Sequence, residues 1–203
     1  MKLTWANQIT ILRILLIAPF VICMLKADQT YAGKAMRYIA LVIFLFMCIS
    51  DALDGYMARI KKQVTTLGSF LDPMADKLLM MCACILLASN KTAINGFVLP
   101  STVVVLIIGK DVLLLLGFIV VYFITSHIRI VPVFLGKVGT VLQLSMVAAM
   151  LIAPEIMLVF SGWTYLIKFL WYAVSACAIL VTLIYIRTGI RYIEQFEEPP
   201  KTP

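Results

Sequence analysis

The chain has 203 residues, of which 63% are hydrophobic and 13% are charged, with a formal net charge of +7. A soluble globular domain is only about half apolar, so this composition excludes that class and predicts one polytopic, all-α membrane protein. The basic residues are dispersed over short loops, which is typical of loops that face the cytoplasm and lie near anionic lipid headgroups. No nucleic-acid partner is predicted.

Six apolar segments are long enough to cross a bilayer, which takes roughly 20 residues each. They are residues 9–25, 38–57, 70–89, 97–124, 138–160 and 165–187. The first segment is not followed by a signal-peptide cleavage site, so we expect it to remain as a helix. Residues 1–7 suit a short interfacial helix before it. The predicted domain therefore covers residues 1–193, and a loose polar tail covers 194–203.

Basic residues predict the orientation of these segments. With the amino terminus inside, most of them fall on the inner side and few on the outer side. The inner residues are Lys2, Arg59, Lys61, Lys62, Arg129, Lys137, Arg187, Arg191 and Lys201, and the outer ones are Lys26, Lys34, Arg37 and Lys91. Both termini are thus predicted to face the cytoplasm. The lack of a transit peptide favours a bacterial cytoplasmic membrane.

Four aspartates lie where segments two and three meet at the inner face: Asp51, Asp54, Asp72 and Asp76. Ionisable side chains in membrane segments are costly and usually functional. Residues three or four apart share one face of a helix, so each helix presents two carboxylates to a common space. Carboxylate oxygens are hard ligands, which predicts one or two Mg²⁺ or Mn²⁺ ions below the cytoplasmic surface.

Simpler interpretations exist for each of these residues taken singly. An aspartate near a helix end is often only interfacial, Gly55 could serve helix packing, and Arg59 could extend towards the membrane surface. A protein that binds or transports ions without catalysis is the alternative of another class. Such proteins often place carboxylates at the midplane of inverted repeats, and this chain has no visible repeat.

The stretch from Asp51 to Asp76 resembles the signature of the CDP-alcohol phosphatidyltransferase family, D-x2-D-G-x2-A-R-x8-G-x3-D-x3-D. All fixed positions match: Asp51, Asp54, Gly55, Ala58, Arg59, Gly68, Asp72 and Asp76. The resemblance implies six membrane helices, a homodimer, and transfer of a phosphatidyl group from CDP-diacylglycerol to a polar alcohol with release of CMP. It also implies two divalent metals held chiefly by the first three aspartates. Asp76 would lie near a metal and act as the base, while Gly55, Ala58, Arg59 and Gly68 would line the CDP site.

Two further stretches bear on the acceptor alcohol. Residues 7–13 resemble the Asn-x-x-Thr-x-x-Arg opening of the family branch that uses glycerol 3-phosphate. Residues 136–143 are similar to its Gly-Lys-x-Lys-Thr-x-x-Gln stretch, with Gly139 in place of a lysine. This favours glycerol 3-phosphate as acceptor and phosphatidylglycerophosphate as product.

The alternative acceptor is phosphatidylglycerol, because Lys110-Asp111 resembles the Arg-Asp pair of the branch that makes cardiolipin. Arg13, Lys110 and Lys137 are the cations predicted to bind the acceptor, although Lys137 could simply be an inner-face residue. Lys110 falls inside segment four and needs a partner or a water-filled cavity. Asp111 is not the expected partner, since neighbouring residues on a helix point about 100° apart.

Overall fold

A computed structural model describes residues 5–27, 33–61, 66–92, 94, 97–125 and 134–197, with no side-chain description at 5–7, 52–61, 66–74, 118–125, 134 and 192–197. The helices in this part of the chain are α1 (Trp5–Lys26), α2 (Gly33–Lys61), α3 (Thr66–Ala88), α4 (Ser101–Thr125), α5 (Phe134–Leu151), α6 (Ala153–Val159) and α7 (Trp163–Glu197). Apart from one isolated bridge between Ile94 and Phe97, these ranges contain no β-structure. The all-α prediction is confirmed.

Three of the described helices contain stretches long and apolar enough to cross a membrane: Gln8–Lys26, Gly33–Asp51 and Trp163–Arg191. A fourth span results if α5 and α6 are counted together. The six predicted segments each overlap at least one helix. Within the described residues the structure therefore supports three or four spans, and the prediction of six stays a prediction.

Predicted segment five, residues 138–160, is broken in the structure. Helix α5 ends at Leu151, α6 begins at Ala153, and the two axes differ in direction by 68°. Pro154 accounts for the break, because it lacks an N–H and its ring clashes with the carbonyl four residues earlier in a continuous helix. At the start of α6 the same proline is tolerated, since the first N–H groups of a helix have no intrahelical partner.

The chain forms two compact units, and the first consists of Met1–Pro100 with Leu144–Ile167. Here α1 packs against both α2 and α3. The buried face of α1 includes Thr10, Arg13, Phe20 and Met24, which recur at helical spacing. Phe20 packs against Phe44 of α2 with ring centroids 6.1 Å apart. Two polar residues, Thr10 and Arg13, thus lie on the buried face of α1 together with apolar ones.

The second unit consists of Ser101–Gln143 with Lys168–Pro203. It contains α4, the first part of α5 and most of α7. Cys177 of α7 lies against α5, with its Sγ 3.7 Å from the carbonyl oxygen of Leu135. Helix α7 continues to Glu197, so it includes the first residues of the predicted tail; residues 198–203 lie outside the described residues. The single domain over 1–193 stays a prediction.

Candidate functional site

Arg13 brings two of the four aspartates together. One nitrogen of its guanidinium, Nη1, donates to Oδ1 of Asp51 at 2.6 Å and to Oδ1 of Asp76 at 3.0 Å. The arginine side chain is only 1% exposed, whereas the two aspartate side chains are 40% and 36% exposed. Helices α1, α2 and α3 therefore meet at a point where the cation is enclosed and both carboxylates remain accessible.

The positions of the two aspartates along their helices explain why they meet. Asp51 lies ten residues before the end of α2 at Lys61, and Asp76 lies ten residues after the start of α3 at Thr66. At 1.5 Å per residue, each is about 15 Å along its helix from the connection between them. Two helices joined by a short connection thus place both carboxylates at one level, as the spacing predicts.

The other signature residues lie on the same two helices, but their side chains are outside the described part of the structure. These are Asp54, Gly55, Ala58, Arg59, Gly68 and Asp72. Asp54 follows Asp51 by three residues and Asp72 precedes Asp76 by four, so each falls on the helix face of its partner. Their roles, and those of Asp51 and Asp76, stay predictions.

Asp51 and Asp76 suit a divalent cation in their chemistry and placement. One oxygen of each carboxylate, Oδ1, already contacts the same positively charged group through Nη1 of Arg13. Carboxylates are the ligands that Mg²⁺ and Mn²⁺ prefer. Among the described side chains there is no group of three or more His, Cys, Asp or Glu that could hold a metal. The described side chains thus include two of the four predicted metal ligands, and the side chains of the other two, Asp54 and Asp72, lie outside the described part of the structure.

A second polar cluster lies in the other unit, on α4 and α5. Nζ of Lys110 is 3.2 Å from Oδ1 of Asp111 and 3.5 Å from Oε1 of Gln143. All three residues are more than nine-tenths buried, and Nε2 of Gln143 has no hydrogen-bond partner in the described structure. The expectation that Asp111 would not pair with Lys110 was wrong. The flexible four-carbon side chain of lysine spans the 100° between neighbouring positions.

Lys137 and Gly139, both in the stretch 136–143, differ in environment. Lys137, predicted to bind the acceptor, is exposed, and the described residues form no ion pair with it. Gly139 is buried, and a Cβ placed on it would lie 3.2 Å from Sγ of Cys177. The position that departs from the lysine of the resembled stretch is therefore closely packed against α7.

One ion pair in the first unit was not predicted from the sequence. Nη2 of Arg37 on α2 donates to Oε1 of Glu155 on α6, and the arginine is buried. Arg37 was expected in an outer loop, and Glu155 was not singled out. The pair could have been anticipated from Glu155, because a carboxylate within the predicted apolar segment 138–160 needs a partner.

Comparison with known proteins identifies the family and several relatives of this chain. The CDP-alcohol phosphatidyltransferase family matches residues 3–186. A Pseudomonas fluorescens protein named CDP-diacylglycerol–glycerol-3-phosphate 3-phosphatidyltransferase is 38% identical over 52% of this chain and 50% of its own length. A Bacillus subtilis protein of the same name is 33% identical over 72% of this chain and 75% of its own.

Similarity also extends to a human protein named cardiolipin synthase (CMP-forming), which is 33% identical over 57% of this chain and 42% of its own length. The match spans about half the length of the Pseudomonas relative. The family match, by contrast, covers nearly the whole chain and includes α1, α2 and α3 with the Arg13, Asp51 and Asp76 contact. The chain belongs to the CDP-alcohol phosphatidyltransferase family.

Proposed function

We propose that this protein transfers the phosphatidyl group of CDP-diacylglycerol to glycerol 3-phosphate, giving phosphatidylglycerophosphate and CMP. The observation that carries the proposal is the meeting of Asp51 and Asp76, the first and last aspartates of the family signature, at Arg13. Relatives from Pseudomonas fluorescens and Bacillus subtilis bear the name of this activity. Paired carboxylates can hold the divalent cations that would neutralise the phosphate charge in such a transfer.

Each residue has a proposed role in the transfer. Asp51, Asp54, Asp72 and Asp76 hold two Mg²⁺ or Mn²⁺ ions, which supply neutralisation of the diphosphate charge when bound. Gly55, Ala58, Arg59 and Gly68 line the cytidine diphosphate. Asp76 accepts the proton of the attacking hydroxyl. The hydroxyl oxygen bonds to the phosphatidyl phosphorus while the bond from that phosphorus to the CMP oxygen breaks.

Cations are proposed to position the acceptor phosphate. Arg13 contacts Asp51 and Asp76, and the side chain of Lys137 is exposed. Lys110 is held by Asp111, so part of its charge is already compensated. Arginine and lysine bind phosphate oxygens through charge-assisted hydrogen bonds.

A second candidate acceptor is phosphatidylglycerol, which would give cardiolipin. Gly139 carries no cation where the glycerol 3-phosphate branch has a lysine, and its close approach to Cys177 leaves little room for a side chain. A phosphodiester acceptor has less negative charge than a phosphate monoester and needs fewer cations. The human relative named cardiolipin synthase is consistent with this alternative.

The proposed setting is the bacterial cytoplasmic membrane, with six spans, both termini and the site facing the cytoplasm, and a homodimeric assembly. The apolar spans of α1, α2 and α7 support membrane integration. The excess of basic residues on the predicted inner side supports the orientation.

An acceptor comparison with purified protein tests the function. CDP-diacylglycerol and Mn²⁺ are supplied with either glycerol 3-phosphate or phosphatidylglycerol, and the lipid product and CMP are quantified. We expect phosphatidylglycerophosphate with the first acceptor and no turnover with chelator. Cardiolipin formed only with the second acceptor would replace the main proposal by the alternative.

The same assay tests the aspartates. Asp51→Asn and Asp76→Asn should each lower turnover by about a hundredfold or more, since they remove groups that stabilise charge in the transition state. Glu155→Gln is the matched control, because it exchanges a carboxylate for an amide outside the signature; its rate per folded protein should stay near that of the parent. Near-parental rates in both aspartate variants would refute the proposed site.

A further inference from the structure

Arg13 contacts the same two carboxylates that a divalent cation would bind, so the two cations would compete. Nη1 of Arg13 binds Oδ1 of Asp51 and Oδ1 of Asp76, and the arginine side chain is 1% exposed. These two carboxylates are the described members of the proposed metal site. A cation coordinated through the lone pairs that now accept from Nη1 would break both contacts, because one lone pair cannot bind the N–H and the ion together.

Charge adds a second, longer-range effect. A guanidinium is charged at every physiological pH. It lies within 3.0 Å of both carboxylates and is itself shielded from solvent, so its repulsion of a divalent ion is poorly screened. Arg13 would therefore oppose metal binding in two ways, by occupying lone pairs of the two Oδ1 atoms and by its charge.

We propose that Arg13 is a built-in competitor of the divalent cation, a positioning residue that keeps Asp51 and Asp76 together while lowering their affinity for the metal. This inference depends on the metal site of the proposed function. It predicts that removing the arginine charge strengthens metal binding, the opposite of what loss of a merely supporting residue would do.

Manganese binding without lipid substrate tests the inference. Free Mn²⁺ is measured by electron paramagnetic resonance during titration of the detergent-solubilised full chain. Arg13→Gln should lower the apparent Kd for Mn²⁺ about tenfold or more, because two charge-assisted contacts and one repulsive charge are lost. Arg13→Lys, which keeps the charge but not the planar fork, should lower it less, by about threefold.

Arg37→Gln is the matched control. Arg37 is also a buried arginine paired with a carboxylate, but it lies 14 residues before Asp51 on α2, about 21 Å along the helix. Its Kd for Mn²⁺ should equal that of the parent protein. This comparison separates loss of a charge at the aspartates from the general effect of removing a buried arginine.

The outcomes distinguish the inference from the function it depends on. A parent protein that binds Mn²⁺ while both Arg13 variants bind it equally or more weakly would overturn the competitor role alone. If Arg13→Gln does not fold, the Kd of Arg13→Lys decides in the same way. A parent protein without Mn²⁺ binding would overturn the proposed metal site and the inference together.

Discussion

At the scale of single residues, the described structure pairs its buried basic side chains with carboxylates. Arg13 contacts Asp51 and Asp76, Arg37 contacts Glu155, and Lys110 contacts Asp111. An unpaired charge in an apolar interior costs several kcal/mol, so a charged residue in a membrane segment needs such a partner. Of the pairs, only the first lies at the family signature and offers accessible carboxylates for chemistry.

Gly139 provides a residue-scale prediction about packing in the second unit. Alanine in place of a helical glycine normally stabilises by about 0.5–1 kcal/mol. At Gly139 the added Cβ would press on Sγ of Cys177 at 3.2 Å, whereas at Gly136 the nearest atom is the Tyr185 hydroxyl at 3.9 Å. We expect Gly136→Ala to raise the free energy of unfolding and with it the thermal unfolding temperature. Gly139→Ala should raise the free energy of unfolding by about 1 kcal/mol less than Gly136→Ala does, since overpacking is costly.

Cys177→Ala tests the cause of that difference. It removes the sulfur that the new methyl group would meet, so Gly139→Ala should stabilise the Cys177→Ala protein more than it stabilises the parent. Unfolding in detergent, followed for the four proteins of this cycle, gives the coupling energy. Equal effects of Gly139→Ala in both backgrounds would show that Cys177 does not limit the space at this glycine.

At the scale of helices, the ion pair between Arg37 and Glu155 links α2 to the short helix α6, which follows the break at Ile152. The indole Nε1 of Trp163 also donates to the carbonyl oxygen of Ala149 at 3.1 Å, on the other side of α6 in sequence. These two contacts hold the region around the bend within the first unit. The bend itself follows from Pro154.

A pairwise prediction concerns this ion pair. Arg37→Met alone leaves Glu155 without its cation and should lower the free energy of unfolding by about 2 kcal/mol; the glutamate is one-third exposed, which moderates the loss. Glu155→Leu alone leaves the buried arginine unpaired and should cost at least as much. The double variant should recover most of the loss, because an apolar pair of similar volume replaces a partly buried ion pair. Additive losses would indicate that the two side chains do not act as a pair.

The helices and the meeting of Asp51 with Asp76 were accessible from the sequence, because apolar length and residue spacing are local properties. The contact of Arg13 with both aspartates was not, since it depends on how α1 packs against α2 and α3. Pairing of Lys110 with Asp111 was missed because helical geometry fixes backbone directions but not the reach of a lysine side chain. The break before Pro154 was missed because hydrophobicity alone continues across it.

At the scale of the whole molecule, large apolar side chains cover much of the exposed surface of the described helices. Leu15, Val42, Val105 and Phe169 are all about two-thirds exposed and lie on four different helices. Such surfaces would drive aggregation in water but are stable against lipid chains. Insertion into a membrane therefore follows from the described surface, while the direction of insertion rests on the placement of the basic residues.

Cysteine labelling in intact cells tests the proposed topology. Lys34 and Lys137 are both exposed, and the six-span arrangement places them on opposite sides of the membrane. In a protein whose Cys23, Cys48, Cys82, Cys84 and Cys177 are replaced by alanine, Lys34→Cys should react with a membrane-impermeant maleimide added outside. Lys137→Cys should react only after the membrane is permeabilised, which also serves as the control that this position is reachable. Labelling of both positions from outside would contradict four membrane crossings before Lys137, and with them the proposed cytoplasmic location of that lysine near the acceptor.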